Sequence, residues 1–476
     1  MNHSQNPQLL TWRQFLRRIL PFADVATPDL PLSRLLRLSL FQVSVGMAMV
    51  LLTGTLNRVM VVELHVPTWL VATMVALPLV FAPLRALIGY RSDYHRSAFG
   101  LRRIPYIWIG SLLQFGGFSI MPFALLLLSD TANDMNFLGK IGAAGAFLLV
   151  GAGLHTTQTA GLALATDLAP AEKRPRVVAL LYVTLLVGML LSSLLFGKLL
   201  THFTPQLLIQ LIQGAAAATL LLNVIALWRQ EAIDRTRAAA PPPRPPFMET
   251  WRDFSQGGRA SRLLVAVGLG TAGFTMQDIL LEPYGGQVLG MTVSQTTALT
   301  ALLSGGTLVA FALAARVLGR GGNTYRLSAS GAAVGLFAFA AVIFAAALES
   351  TALFRVGTTL IGFGAGLFAI GTLTAAMDLA EGGHSGLALG AWGAVQATAN
   401  GVAMAFGGGM RDLISNLAST GSLGIKIGDM VIGYESVYAF EIVLLLGTLI
   451  VMMPLLLRTT NKTPRASSAI GLDQMP

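Results

Sequence analysis

Apolar residues run through this chain in long stretches rather than in the half-polar periodicities of a soluble fold. Twelve stretches are long enough to cross a bilayer, since ~20 helical residues at ~1.5 Å each span a hydrocarbon core of ~30 Å. They lie near 38–62, 68–90, 104–129, 138–166, 177–200, 205–228, 263–290, 294–318, 328–348, 353–380, 386–408 and 436–457. The pattern predicts an all-α membrane protein with 12 transmembrane helices. A thirteenth pattern precedes them: in residues 9–22, Leu9, Trp12, Phe15, Leu16, Ile19 and Leu20 share one helical face opposite Arg13, Arg17 and Arg18. That arrangement predicts a helix lying in the membrane interface.

The seventh stretch breaks the pattern. It is apolar through its first half, then carries Gln277, Asp278 and Glu282 and is interrupted by Pro283 and Gly285-Gly286. A carboxylate at the centre of a membrane helix costs roughly 2.5–3.5 kcal/mol on insertion scales, so it faces a bundle interior, a cavity or a partner. Asp278 and Glu282, four residues apart, share a helix face. They either line an interior or sit at the headgroup level.

An even number of spans puts both termini on one side. With that side cytoplasmic, only Arg58, Lys140, Lys198, Arg355, Arg411 and Lys426 of the 32 basic residues fall outside, as the positive-inside rule requires. The net charge of +10 therefore reports membrane topology, and no nucleic-acid partner is expected. Charged residues make up 11% of the chain, against about 25% in soluble domains. There are no cysteines, which excludes disulfides and thiolate metal sites. The first span is expected to act as its own targeting signal.

The domain organisation follows. Residues 1–37 form a cytoplasmic leader, 38–228 a first six-helix bundle, 229–262 a Pro- and Arg-rich cytoplasmic linker, 263–457 a second bundle and 458–476 a tail. An outer loop over 407–435 is long enough for a short amphipathic helix. The halves echo each other. TWRQF at Thr11 returns as TWRDF at Thr250, TLNR at Thr55 as TMQD at Thr275, and GAGL at Gly151 and Gly364 leads, with a two-residue slip, to Asp167 and Asp378. Parallel six-helix repeats describe the major facilitator fold. Gly89 and Asp93, followed by Arg96, resemble in a looser form the glycine–aspartate–arginine signature of that superfamily between its second and third helices.

Several positions can carry chemistry. The repeat aligns Arg58 with Asp278, so an ion pair between them across the central cavity is expected, as a latch or a polar floor; the alternative is Arg58 snorkelling to the headgroups. On helix 4, His155 lies near mid-bilayer with Gln158 on the same face, and it reads equally as a proton relay, an axial donor to a magnesium macrocycle or a packing residue. On helix 11, Trp392, Gln396 and Asn400 form one stripe at four-residue spacing, suited to holding helices together or to meeting a ligand. Asp167, Glu172, Lys173, Arg174 and Arg176 suggest a charge network at the cytoplasmic gate. No nucleotide-binding loop, nucleophile elbow or histidine metal site is present, so neither an enzyme nor ATP-driven transport is indicated.

RIPYIWIG, GLHTTQTAGLALATDLAP, GFTMQDILLEPYGGQVLG and GLALGAWGAVQATANG resemble the PucC/LhaA group, the bacteriochlorophyll delivery branch of the major facilitator superfamily, and the likeness runs from about Leu36 to Leu457. Length and the basic leader resemble the LhaA branch, which serves light-harvesting complex 1, more than the PucC branch, which serves light-harvesting complex 2. The resemblance implies an antenna assembly factor in the intracytoplasmic photosynthetic membrane of a purple bacterium, with bacteriochlorophyll a, and secondarily a carotenoid, as transient cargo. It implies as partners the antenna α and β polypeptides, chlorophyll synthase, reaction-centre and light-harvesting 1 assembly intermediates and the Sec/YidC machinery. His155, Gln158, Gln277, Trp392, Gln396 and Asn400 are the candidate pigment contacts. A proton-coupled solute transporter using Asp278, Glu282 and His155, and a pigment-free scaffold, are the competing expectations.

Overall fold

The computed structural model describes residues 30–81, 101–129, 136–170, 173–231, 258–379, 385–420 and 429–459. Twelve helices occupy the places of the twelve predicted spans. The first half holds α1 (Leu32–Glu63), α2 (Thr68–Ala76, tightening to a 3-10 turn over Leu77–Phe81), α3 (Ile104–Ser129), α4 (Asn136–Leu168), α5 (Arg174–Leu199) and α6 (Pro205–Leu227). The second holds α7 (Arg259–Gln287), α8 (Val293–Gly319), α9 (Thr324–Ala347), α10 (Thr351–Leu379), α11 (Ser385–Ser419) and α12 (Asp429–Thr459). The leader helix, most of the linker, the tail, and Gly89, Asp93, Arg96 and Glu172 lie outside the described residues.

Short polar caps set the helix starts between spans. Thr204 accepts the Leu207 amide just before Pro205, Thr292 and Gln295 cap each other at the start of α8, and Asn323 accepts the amides of Tyr325 and Arg326. Two boundaries differ from the sequence pattern. Helix α1 starts at Leu32, released by the extended backbone of Pro31. Helix α11 runs on through MRDLISNLAS to Ser419 and α12 begins at Asp429, so most of the outer loop expected over 407–435 is continuous with these two helices. Hydropathy hid this extension because Arg411, Asp412 and Asn416 are polar, yet Arg411 and Asp412 are buried by neighbouring helices.

Ten helices among the described residues are long and apolar enough to cross a membrane, and large side chains such as Phe123, Phe337 and Ile450 stand 67, 74 and 71% exposed around the outside. Apolar side chains that are this open make sense only in lipid, and the protein is a multi-pass membrane protein.

The halves repeat in three dimensions. Helix α1 packs on α5 and α6, and α3 on α4 and α6; in the same way α7 packs on α11 and α12, and α9 on α10 and α12. The pairs that bridge the halves, α2 with α11 and α5 with α8, exchange under the same two-fold relation. Glycine contacts fix the register. Gly153 of α4 lies on the Gly110 backbone of α3, as Gly364 of α10 lies on Gly331 of α9. Gly151 meets Pro78 of α2, as Gly362 meets Leu303 of α8. The correct alignment is therefore anchored on Asp167 and Asp378, and the GAGL match of the sequence is two residues out of register.

Candidate functional site

The second piece of α7, Gln277–Gln287, is the centre of a buried polar seam where the two halves meet. Proline has no N–H, so Pro283 leaves the Ile279 carbonyl, one turn earlier, without its helical partner. In the membrane such a group must be satisfied by protein. Asn57 of α1 does so, donating from Nδ2 to Ile279 O at 2.7 Å. At the other end of the piece the α7 backbone turns at Met276, and the buried backbone N–H of Gln277 donates to Glu441 Oε1 of α12 at 2.8 Å. Both repairs are buried, and they tie α7 to two neighbours.

Glu282 is 3% exposed and reaches across to α1. Its Oε1 accepts from Thr300 Oγ1 of α8 at 2.7 Å, and its carboxyl lies where a side chain on Gly54 would be. Around Gly54, α1 winds in wide turns over Val50–Leu56 and again over Val59–Glu63, the local unwinding that marks many functional helices. Arg58, 4% exposed, lies over Gly286 and donates to the Met291 carbonyl at 3.3 Å. Its ion-pair partner is Glu63, on its own helix. The expected Arg58–Asp278 pair is thus corrected: Asp278 is half-buried and accepts from the Gln277 side chain instead. Arg58 lies over Gly286, one turn from Glu282 on the same face of α7.

Beyond Gln287 a chain of polar contacts closes the end of the molecule where α1 and α7 finish. Gln287 Oε1 accepts from Arg411 of α11 at 2.9 Å and from the Tyr434 hydroxyl of α12 at 2.7 Å, while its Nε2 donates to Val61 O at 3.4 Å. The Arg411 guanidinium lies 4.5 Å from the Tyr434 ring centre and pairs with Asp412 at 2.7 Å. Asp412 in turn accepts the Trp69 amide in the first turn of α2 at 2.7 Å, across the two halves. Thr55 of α1 and Ser193 of α5 also meet Thr297 of α8 across the halves. Sequence reading missed Arg411, Asp412, Glu441 and Asn57. Asn57 and Glu441, each a polar residue inside a predicted span, carried a visible signal; Arg411 and Asp412, in the expected outer loop, did not.

The candidate pigment residues are divided between the halves. His155 and Gln158 are buried on α4. They lie on the helix face between Gly151, which meets Pro78 of α2, and Gly161, which meets the Phe41 ring of α1. Thr157, beside them, accepts from Gln114 of α3 at 3.1 Å. On α11, Asn400 accepts from Thr275 of α7 at 2.8 Å, and Trp392 Nε1 donates to Thr372 of α10 at 3.2 Å, so these two hold helices of the second half together. Gln396 is half-buried between them in sequence. Gln277 is 2% exposed, and its amide is engaged with Phe274 O and Asp278.

At the end where the chain enters α1, Asp167 accepts from Arg102 at 2.5 Å and Arg103 at 3.0 Å. Glu231 accepts the backbone amides of Arg102, Arg103 and Ile104 at the start of α3. Arg174 opens α5. Asp167 is thus held by the arginines that lead into α3.

Comparison with known proteins places this architecture. The chain matches the family model described as PUCC protein over residues 55–460. It is 60% identical to Protein PucC of Rhodovulum sulfidophilum over 403 residues, 83% of this chain and 89% of that one. It is 52% identical over 462 residues to an uncharacterized protein in the puhA-bchM intergenic region of Rhodobacter capsulatus, covering 96% and 97% of the two chains. The bacteriochlorophyll synthase 44.5 kDa chain of Rhodobacter capsulatus is 29% identical over 395 residues, 80% of this chain and 88% of that one. Among solved structures, a bacterial homologue of the lysosomal transporter Spinster superposes with a TM-score of 0.64 at 13% identity, covering 90% and 98% of the chains. The peptide transporter PepTSo does so at 0.65 and 12%, covering 90% and 99%. These two likenesses show a major facilitator type of transporter fold. The chain belongs to the PucC family.

Proposed function

We propose that the protein is an assembly factor for bacterial light-harvesting antennae, delivering bacteriochlorophyll to the antenna α and β polypeptides, chaperoning them, or both. The observation that carries this reading is the relationship to PucC at 60% identity over most of both chains. The weaker likeness to a chain named for bacteriochlorophyll synthase supports a place beside pigment synthesis. On this reading chlorophyll synthase supplies pigment, and antenna polypeptides and reaction-centre or light-harvesting 1 intermediates receive it, with Sec/YidC inserting the polypeptides nearby. Relatives named PucC span 51–60% identity and the puhA-bchM protein stands at 52%, so identity does not favour the light-harvesting 1 branch.

Bacteriochlorophyll as cargo needs a neutral axial donor, hydrogen-bond donors for its carbonyls and a wide apolar surface. His155 supplies the first and Gln158 the second, and the donor chemistry fits. The flanking space does not stand open, because Pro78 and the Phe41 ring cover the glycines on either side. Helices α1 and α2 must therefore part from α4 for a macrocycle to reach His155, which favours lateral entry from the membrane over passage along the central axis. A phytyl chain, too apolar to cross water, leads to the same route.

The test is an absorption spectrum of the protein purified from cells that make bacteriochlorophyll but no antenna or reaction-centre polypeptides. A near-infrared band shifted from free pigment and lost in His155→Leu is expected. A colourless protein that still stabilises α/β polypeptides overturns pigment carriage and leaves the scaffold. The buried Glu282 and half-buried Asp278 favour one second reading, a proton-coupled solute transporter, which requires gradient-dependent uptake in proteoliposomes.

A further inference from the structure

At the break of α7, α12 delivers a carboxyl group with no counter-charge. Glu441 is fully buried; Oε1 accepts the Gln277 amide and Oε2 has no hydrogen-bond partner. Two neighbouring groups are equally buried and equally unpartnered: the hydroxyl of Tyr438, one turn earlier on α12, and Oε1 of the Gln277 side chain. That side chain donates from Nε2 to Asp278 Oδ1, so Gln277 touches both acids, Glu441 through its backbone N–H and Asp278 through its side chain. Neither acid has an ion pair among the described residues, where Arg58 is taken by Glu63 and Arg411 by Asp412.

Among the described residues, the other elements bring no cation to the pair. Helix α7 adds Tyr284 further along, edge-on to Tyr438, and α9 stacks Phe339 on Tyr438. The Arg411–Asp412 pair of α11 sits at Tyr434, seven residues and ~10 Å along α12 from Glu441. From α1, Arg58 pairs with Glu63 and lies over Gly286, about two turns beyond Asp278. Two carboxylates bound to one residue inside a membrane protein, with no ion pair to either among the described residues, repel each other, and protonating one of them relieves that cost. Buried unpartnered oxygen atoms around them call for a hydrogen that the acids alone do not provide.

We propose that Asp278 and Glu441 form an internal proton-binding site, a carboxyl pair that holds one proton taken from bulk water, with Gln277 and Tyr438 completing its hydrogen bonding. The site lies where α7 changes direction, so the bound proton joins α12 to the second piece of α7. It is independent of any pigment and of the antenna reading.

Infrared spectroscopy of the purified full chain at neutral pH, in H2O and D2O, tests it. The wild type is expected to show a protonated-carboxyl C=O stretch that shifts in D2O. Glu441→Gln, which keeps an acceptor for the Gln277 amide, should lose one carboxyl's worth of that absorption. Asp278→Asn should lose or displace the same band. A wild type without such a band, or a band that survives both substitutions unchanged, overturns the proposal. If Glu441→Gln does not fold, Asp278→Asn at a half-buried position decides alone: a displaced or missing band supports the pair, and an unaltered one rejects it.

Discussion

A methyl group at position 54 would occupy the space held by the Glu282 carboxyl. Gly54→Ala is therefore expected to destabilise the fold by ~1–3 kcal/mol through overpacking. Glu282→Ala should remove the clash, so Gly54→Ala in that background should cost well under half as much. Thermal unfolding in detergent of the two singles and the double measures this coupling, and additive effects would refute the contact. The sequence shows a glycine in an apolar run and a glutamate in another, with nothing to say that they touch. Arg58 teaches the same lesson in reverse. Internal repetition aligned it with Asp278, but the arginine found Glu63 five residues on, where a wide turn brings the two together. Spacing assumes regular helices, and α1 is irregular at this point. The expected cost of Glu63→Gln is up to ~1 kcal/mol, because Glu63 is partly exposed and solvent screens the pair. Asp278→Asn should leave the environment of Arg58 unchanged, which the guanidinium resonances in NMR would report.

At the scale of the element, α7 shows what a proline inside a membrane helix requires. Pro283 frees the Ile279 carbonyl and Asn57 takes it, so the residue that repairs α7 belongs to another helix and to the other half. Asn57→Ala should cost ~1–3 kcal/mol, the penalty for an unsatisfied buried acceptor. With Pro283→Ala the amide of residue 283 can serve the same carbonyl, and Asn57→Ala should then cost a few tenths of that. Denaturation midpoints of the four proteins in the cycle check it; equal costs in both backgrounds would show that Asn57 acts elsewhere. The twelve spans, the break in α7 and the two-half plan were legible because hydropathy, proline and repetition are one-dimensional signals. The extension of α11 was not, because Arg411 and Asp412 are polar in sequence and buried only by contacts with Tyr434, Gln287 and Trp69. The helix 11 stripe was visible, but its use was not: Trp392 and Asn400 meet threonines on α10 and α7 that no periodicity singles out.

For the whole molecule, the contacts between halves gather where α1, α5, α7 and α11 finish, and they suit a direct test of how the protein works. Thr55 of α1 and Thr297 of α8 bring their hydroxyls within 3.3 Å across the two halves. The chain has no native cysteine, so a Thr55→Cys/Thr297→Cys pair can be oxidised without background. The cross-link is expected to form and to hold that end shut. A transporter that works by alternating access must open there, and locking it would abolish uptake. Lateral exchange of an apolar pigment beside α4 needs α1 and α2 to part from His155 but leaves the far ends of the halves together. Antenna assembly in cells carrying the cross-linked pair should therefore stay within about twofold of wild type, read as antenna absorbance per cell, and should return unchanged on reduction. Loss of assembly that reduction restores would mean that the halves rock about this seam in function, and the lateral route would have to be abandoned. Asp412→Ala supplies the converse measurement, because it frees the start of α2 without locking anything. It should raise the reactivity of a single cysteine at position 55 toward water-soluble thiol reagents several-fold, while leaving the helices around His155 as they are.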